Sequence, residues 1–252
     1  MTDDVYANQT VTFEELTQLI EVLPDTAHLT IIGGQALSFW YLYYSQLYPE
    51  LLEEQGGFVG TKDIDFMADK ASMEICANAW GVDLYRGEAS SHLVGQIGVM
   101  EISLNGRKVI IDFLTDYARS GPIKDRYKKI VPLSDRKSIF VLDPQATLLS
   151  KISNTVALNR TDEHSIGQIR AAMAVLSCAI REAIDSGDEH LACKLIRFVF
   201  DVRKADWYGR KIKHYGIELI DLFTADVQQL NEKYLQLTFL PEIQRIKGYS
   251  RN

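Results

Sequence analysis

Residues 28–37, HLTIIGGQAL, decide how the first half of the chain is expected to fold. The apolar run 28–32 has the length of a short strand, and it ends at the pair Gly33 and Gly34. The segment 35–48 is helical in length and strongly aromatic, and we interpret its aromatic side chains as packing groups. A glycine pair in this position is compatible with a plain tight turn. It also lets the backbone approach a phosphate, because the first N–H groups of a helix are unpaired.

The next strand, residues 63–67 (DIDFM), has an acidic face and an apolar face. Side chains alternate with a period of two, so Ile64 and Phe66 lie on one side and Asp63 and Asp65 on the other. A D-x-D pattern is common by chance, but here it follows the glycine pair within the same α/β stretch. The pattern predicts two carboxylates close together on one face of a sheet.

A β-hairpin is predicted from two apolar runs, 98–104 and 107–114, which are separated by Asn-Gly at 105–106. Asn-Gly favours a two-residue turn of type I′, because both central residues of that turn have positive φ. With such a turn, Asp112 and Glu101 fall on the same face of the hairpin. Asp112 lies in an apolar context, where an ionised carboxylate is unfavourable unless another group pairs with it.

Asp63, Asp65 and Asp112 together predict a divalent-metal site for phosphoryl or nucleotidyl transfer. Carboxylates held this close are stable mainly when a cation lies among them, and hard oxygen ligands suit Mg²⁺ or Mn²⁺. Such ions would bind the triphosphate of an NTP and activate an attacking hydroxyl. Gly33 and Gly34 would contribute backbone N–H groups to the phosphates.

Three further charged residues are weighed for this site. Lys151 has two interpretations that stay open: a positive charge directed at the triphosphate, or an ordinary lysine on the surface of an amphipathic helix. Lys62 points to the other face of its strand, and we interpret it as structural. Glu101 is a candidate to support the metal cluster, although most strand carboxylates of this kind have no such role.

The composition changes near Asp143, where an α/β half gives way to a helical half. The segment 120–133 is predicted to be a basic loop, and 138–142 one more strand. Asp143 and Pro144 begin a helix correctly, with an aspartate cap and proline at the first helical position. Helices are expected at 145–158, 165–184, 189–204 and 218–237.

Charge is unevenly distributed along the chain. Residues 1–61 contain nine acidic residues and no lysine or arginine, while the whole chain has a net charge of −7, so the remainder carries +2. This argues against an N-terminal nucleic-acid-binding arm. Residues 194–213 contain seven basic and two acidic residues, with aromatic residues interleaved. That segment is equally consistent with a contact for RNA or an acidic partner protein and with a solvated helix face.

The first ten residues, MTDDVYANQT, lack the pattern of a secretory signal, and no apolar run approaches the roughly 20 residues that span a bilayer. We therefore expect a cytoplasmic protein with no membrane contact. The three cysteines and five histidines show no metal-ligand spacing, and we give them no metal role.

In their order along the chain, these motifs resemble the nucleotidyltransferase superfamily that includes DNA polymerase β and the antibiotic nucleotidyltransferases. The superfamily pattern is a Gly-Gly or Gly-Ser turn, then D-h-D with an apolar central residue, then a third acid on a later strand. The matching residues are Gly33, Gly34, Asp63, Asp65 and Asp112. The segments IIGGQAL, TKDIDF and DPQATLLSKI are most similar to the AbiEii-type toxin nucleotidyltransferases of prokaryotic defence and toxin-antitoxin systems.

That toxin group has a further motif, a downstream lysine followed by an arginine and an aspartate. The corresponding residues are Lys151, Arg160 and Asp162, in KISNTVALNRTD. The resemblance implies that they bind the nucleotide together with the glycine turn and Gln35. Because many members have a small hydroxyl residue where Gln35 stands, we expect the triphosphate contacts to differ in detail. The superfamily resemblance covers about residues 28–115, and the toxin-group resemblance extends to about residue 175.

The resemblance implies an α+β fold with two domains. Residues 1–142 would form a nucleotidyltransferase domain, a mixed sheet with flanking helices, and residues 143–252 a C-terminal helical bundle. The implied function is metal-dependent transfer of NMP from an NTP to a hydroxyl of tRNA or protein by a toxin or defence enzyme, with a cognate antitoxin as a further partner. The alternatives are an antibiotic nucleotidyltransferase and a catalytically silent module that binds a nucleotide or a partner protein.

Overall fold

The computed structural model describes residues 10–53, 58–85, 95–115, 127–135, 137–205 and 208–249. These residues form an α+β fold in which a mixed seven-stranded sheet has the order β3-β4-β5-β2-β1-β7-β6. Strands β1 and β7 are parallel, as are β2 and β5, and the other neighbours are antiparallel. The strands are β1 Thr30–Ile31, β2 Ile64–Met67, β3 Leu84–Tyr85, β4 Gln96–Leu104, β5 Arg107–Leu114, β6 Lys128–Ser134 and β7 Lys137–Leu142.

The helices are α1 Phe13–Glu21, α2 Gly33–Ser45, α3 Lys70–Trp80, α4 Pro144–Ala157, α5 Glu163–Asp185, α6 Glu189–Lys204, α7 Tyr208–His214, α8 Glu232–Tyr234 and α9 Leu240–Tyr249. A π-helical stretch, Leu235–Phe239, joins α8 to α9. Short 3₁₀ turns lie at Pro49–Leu51, Leu219–Leu222 and Ala225–Gln229. Among the described helices, none is both long and apolar enough to cross a membrane.

The predicted hairpin is confirmed, because its turn is determined locally. Asn105 and Gly106 have φ values of 51° and 79°, as a type I′ turn requires. The register places Glu101 opposite Ile110 and Val99 opposite Asp112. Asp112 and Glu101 therefore do share one face of the sheet.

Helix α2 begins earlier than predicted. The glycine pair forms the first turn of this helix instead of a separate turn before it. Gly33 has a φ of +61°, which lets the chain leave β1 and enter the helix at once. The aromatic residues of α2 are largely packed, as predicted, with Phe39, Trp40 and Tyr44 buried.

Two segments differ from the sequence prediction. The predicted basic loop contains strand β6, because Ile130 and Val131 pair with β7. The part of that segment before Tyr127 lies outside the described residues. The helix predicted at 218–237 is replaced by 3₁₀ turns and then α8, since Leu219 and other apolar residues of this segment are buried in the core.

The helical half packs directly onto the α/β half through α2. The indole Nε1 of Trp40 donates a hydrogen bond to the carbonyl oxygen of Leu142 at 2.6 Å. The hydroxyls of Tyr43 and Tyr44 donate to the two carboxylate oxygens of Glu182 on α5, at 2.8 and 2.9 Å. A hydrophobic core includes residues of both halves. The division into two domains near Asp143 stays a prediction.

Candidate active site

The two central aspartates lie side by side on neighbouring parallel strands. Asp65 of β2 is in register with Asp112 of β5, so their side chains are on the same face of the sheet. Both residues are partly buried. Asp63 lies at a bend one residue before β2 and is exposed, and its charge is near enough to raise the pKa values of Asp65 and Asp112. The structure thus places Asp65 and Asp112 side by side on one face, with the charge of Asp63 close to both.

Asp65 faces the N-terminus of α2, because β1 and β2 are antiparallel neighbours. The N-cap residue of this helix, Ile32, makes no side-chain capping bond, and its N–H donates to the carbonyl oxygen of Asp65 at 3.1 Å. The backbone N–H of Gly34 donates toward the Asp65 carboxylate and lowers its pKa. A carboxylate from a neighbouring strand therefore serves as the cap of α2.

The glycine pair is required by the close approach of two side chains. A Cβ atom on Gly33 would lie 1.9 Å from Oδ2 of Asp65, and one on Gly34 would lie 2.6 Å from Cβ of Thr61. Thr61 in turn donates a hydrogen bond from Oγ1 to the carbonyl oxygen of Asp63 at 3.1 Å. The glycine pair leaves room for the side chains of Asp65 and Thr61 at the start of α2. The sequence predicted that a phosphate would lie at this position.

Both paired aspartates hold their protons more tightly than an exposed aspartate. Burial raises the pKa of Asp65 to about 6, and the nearby charges of Asp112 and Asp63 add to the rise, while Lys151 opposes it. Burial also raises the pKa of Asp112, against a hydrogen bond of 2.7 Å that Gln96 Nε2 donates to Asp112 Oδ1. Two ionised carboxylates so close together are unfavourable. A bound metal ion or a proton would reduce their repulsion.

Lys151 is a buried residue of α4, with 8% of its surface exposed, so its interpretation as an ordinary surface lysine is wrong. Its Nζ donates a hydrogen bond to Oε1 of Gln168 at 2.9 Å. Burial lowers the pKa of Lys151 to about 8, although attraction to Asp65 works in the other direction, and Arg160 lowers it further. The helical half therefore directs a buried ammonium group toward the carboxylate face.

The other three residues predicted to bind the nucleotide have different positions. Gln35 is buried, and its Nε2 donates to the carbonyl oxygen of Val11 at 3.3 Å, which is a packing role. Asp162 caps α5, accepting hydrogen bonds from the backbone N–H and the hydroxyl of Ser165 at 2.8 and 2.7 Å. Arg160 is exposed and close enough to Lys151 to affect its pKa.

Glu101 is not part of the carboxylate pair. It forms an exposed ion pair with Lys108, with 2.6 Å between Oε1 and Nζ. Sequence reasoning missed Gln96 and Gln168, the residues that hold Asp112 and Lys151. Neither has a local sequence pattern, since Gln96 lies at an irregularity of the β4–β5 pairing and Gln168 faces Lys151 from another helix.

The donor set has the chemistry of a Mg²⁺ or Mn²⁺ site. Asp65 and Asp112 would hold the ion, with Asp63 as the third carboxylate. Within the described residues, no three histidine, cysteine, aspartate or glutamate side chains already gather at the spacing of metal ligands. A site with three carboxylate ligands would therefore require the exposed Asp63 carboxylate to turn toward the pair.

A cavity of about 480 Å³ lies elsewhere, between α6 and the α8 segment, and it is lined by Glu189, His190, Cys193, Asn231, Lys233, Tyr234, Leu237 and Thr238. Burial raises the pKa of Cys193, so its thiol is not activated as a nucleophile. Coupled carboxylates and a buried lysine are stronger evidence of chemistry than volume alone, so we identify the carboxylate face as the candidate active site.

Comparison with protein-family models, curated proteins and solved structures finds no match to this chain.

Proposed function

We propose that the protein is a metal-dependent nucleotidyltransferase, which moves NMP from an NTP to an acceptor hydroxyl and releases pyrophosphate. The observation that best supports this is the register of Asp65 with Asp112 on one sheet face, with the buried Lys151 directed at them. Two aspartates and a lysine at the start of a helix form a site suited to a phosphate group and a divalent cation. The resemblance of the motifs to the superfamily adds to this argument.

Each side chain has a defined task in the transfer. The acceptor hydroxyl gives its proton to Asp112 as the general base, while its oxygen bonds to the α-phosphorus of the NTP. The bond from that phosphorus to the bridging oxygen breaks, and pyrophosphate leaves. Lys151 stabilises the negative charge of the triphosphate as it leaves. A bound Mg²⁺ or Mn²⁺ would supply charge neutralisation and in-line orientation.

The acceptor and the biological role rest on resemblance. The AbiEii-type pattern favours a toxin or defence enzyme of a toxin-antitoxin system, with tRNA or protein as acceptor and a cognate antitoxin as partner. Small antibiotics are the second acceptor class. As part of this proposal, we place the protein in the cytoplasm.

A catalytically silent module is the alternative from another class. It is favoured by the position of Asp65, which already caps α2, and by the absence of three gathered metal ligands among the described residues. Such a protein would bind a nucleotide or a partner protein without transferring NMP. The two functions differ in one measurable result, covalent label transfer.

Transfer is tested by incubating the protein with each of the four α-³²P-labelled NTPs, Mg²⁺ or Mn²⁺, and total RNA, protein extract or aminoglycosides. Asp65→Asn is expected to reduce label transfer at least about 1,000-fold, because it removes the central carboxylate. The matched control is Glu101→Gln, which neutralises an exposed carboxylate on the same sheet face and should leave transfer within about twofold.

Labelling of one acceptor class by the wild type, lost in Asp65→Asn and kept in Glu101→Gln, supports the transferase. Absence of transfer from every NTP to every acceptor, with the protein folded by circular dichroism, overturns it in favour of the silent module. Labelling that persists in Asp65→Asn would place the chemistry elsewhere in the chain.

A further inference from the structure

Residues 58–62, which we call the bridging loop, precede β2 and contact α2 on one side and α5 on the other. The hydroxyl of Ser38 on α2 donates a hydrogen bond to the carbonyl oxygen of Val59 at 2.7 Å. Thr61 lies so close to Gly34 that a Cβ atom on that glycine would be 2.6 Å from Cβ of Thr61. The loop is therefore fixed to the first turns of α2, which is the end of this helix that faces the carboxylates.

The other contact of the bridging loop is with a glycine of α5. Gly167 is buried, and a Cβ atom there would lie 2.2, 2.3 and 2.6 Å from Cδ1, Cγ and Cε1 of the Phe58 ring. Glycine inside a helix is less favourable than alanine, so a glycine at such a position calls for a packing reason. Here the packing reason is the ring, which takes the space of the missing side chain.

The turn of α5 that supports Phe58 also holds the lysine of the candidate site. Gln168 directly follows Gly167, and its Oε1 accepts the hydrogen bond of 2.9 Å from Nζ of Lys151. Lys151 is in turn close enough to Asp65 to lower its pKa. A continuous series of contacts therefore runs from the start of α2 through the bridging loop and α5 to Lys151.

Other contacts join α2 to α5 at a different level. The hydroxyl of Tyr44 donates to Glu182, which lies fifteen residues beyond Gly167. Fifteen residues of helix span about 22 Å, so this bond is remote from the turn that holds the lysine. The bridging loop, in contrast, contacts α5 one residue from Gln168.

We propose that Phe58 is a positioning residue for Lys151. Its ring supports the Gly167 turn of α5, so that Gln168 holds the ammonium group of Lys151 opposite the aspartates. The bridging loop thereby sets the width of the gap between carboxylates and lysine, which the triphosphate of an NTP and its cation would occupy. This role rests on the proposed function, because it assigns the gap to a triphosphate.

Gly167→Ala tests this role most directly. Its methyl group would overlap the Phe58 ring, so the ring or the α5 turn must move. A displacement of about 1 Å in a catalytic site can lower the rate about 100-fold, and we expect a loss of label transfer of that order. Binding of tripolyphosphate with Mg²⁺, measured by isothermal titration calorimetry, should weaken about tenfold.

The matched control is Gly248→Ala on α9, where a Cβ atom would meet nothing within 4 Å. It makes the same substitution in a helix, and both transfer and tripolyphosphate binding should stay within about twofold of the wild type. Its melting temperature should rise slightly, because alanine favours a helix more than glycine does. Gly167→Ala should instead lower the melting temperature.

Two double variants distinguish positioning from a general loss of structure. Phe58→Ala should weaken tripolyphosphate binding about fivefold, and adding Gly167→Ala should weaken it by less than about twofold more, because both changes break one contact. In the Lys151→Met background, Gly167→Ala should have no further effect on binding, since no ammonium group is left to position. A purely structural role of Phe58 would leave the effect of Gly167→Ala intact in that background.

Tripolyphosphate binding that Gly167→Ala and Phe58→Ala leave unchanged overturns the positioning role, and so does a full effect of Gly167→Ala in the Lys151→Met background. Neither result affects the transferase if the wild type transfers label. Binding that depends on Phe58 through Lys151, with no label transfer by the wild type, keeps the positioning role and overturns the transferase. A folded wild type that neither binds tripolyphosphate nor transfers label overturns both.

Discussion

The N-termini of α2 and α4 are built from the same groups in two different ways. Both helices begin where parallel neighbours, β1 and β7, end, and both have an aspartate with a pKa raised by burial to about 6. For α4 the aspartate is local: Asp143 is the N-cap residue and accepts from the N–H of Ala146 at 2.8 Å. For α2 it is remote: Asp65 comes from β2 and reaches a helix whose own cap residue offers no side chain.

The difference teaches that a raised pKa does not by itself identify an active site. Asp143 stabilises a helix and is attracted only by exposed lysines, Lys129 and Lys194. Asp65 lies beside a second carboxylate and faces a buried lysine. Asp143 only accepts a hydrogen bond at the start of α4. Asp65 brings its own charge and that of Asp112 to the start of α2, and these charges need an additional group to balance them.

The remote cap is broken most directly by Gly33→Ala. Its methyl group would overlap the Asp65 carboxylate, and alanine at a φ of +61° is strained as well. We expect a loss of about 3 kcal/mol in the free energy of unfolding, with about 1 from the backbone and the rest from the displaced Asp65. Urea denaturation at neutral pH measures this.

The control for that experiment is Gly81→Ala. Gly81 ends α3 with a φ of +65°, and a Cβ there would meet nothing within 4 Å. This variant isolates the backbone contribution and should lose about 1 kcal/mol. Equal losses in the two variants would contradict a tight contact between Gly33 and Asp65.

The fold was predictable where local chemistry determines it. The Asn-Gly turn at 105–106 fixes the β4–β5 register, and the Asp143 cap with Pro144 fixes the start of α4. Strand β6 was missed because its pairing with β7 outweighs the loop-like character of a lysine-rich segment containing Pro132. Sheet order cannot be derived from such local signals, since β1 lies between β2 and β7.

The same limit applies to the candidate site. The hairpin register correctly placed Asp112 on one face with Glu101, whereas the strand predicted to begin at Asp63 begins at Ile64, so alternation does not fix the face of Asp63. No pattern predicted that Asp65 would cap α2, because that depends on the antiparallel pairing of β1 with β2. The burial of Lys151 likewise depends on how α4 packs between other helices.

Asp143→Asn tests the local cap of α4. The asparagine keeps an oxygen that can accept from the Ala146 N–H, but it has no carboxyl group that titrates. The pKa of Asp143 is about 6 in the folded protein against 3.8 for a free aspartate, so folding favours the protonated form. Titration of Asp143 therefore stabilises the wild type as pH falls through 6, and the variant lacks this contribution while it keeps the one from Asp65. Between pH 7.5 and 5.0 the wild type should gain about 1 kcal/mol relative to Asp143→Asn.

Asp162→Asn is the matched control for this pH dependence. Asp162 also caps a helix, but hydrogen bonds from Ser165 lower its pKa below 3.8. Its folded and unfolded forms are both ionised above pH 5, so the difference from the wild type should not change between pH 7.5 and 5.0. A gain of similar size in both variants would show that Asp143 is not the titrating group.

The smallest effect is expected from Lys194→Gln, and it tests whether Asp143 depends on its lysines as Asp65 depends on Lys151. Lys194 is exposed, so water and salt screen its attraction to Asp143, and the loss should stay below about 0.5 kcal/mol and vanish at about 0.5 M NaCl. Urea denaturation at low and high salt measures it, with Lys247→Gln as a control on α9. A salt-independent loss above about 1 kcal/mol would mean that Asp143 is held by a desolvated ion pair. The two helix starts would then have the same electrostatic construction, and only the second carboxylate beside Asp65 would distinguish the site from the cap.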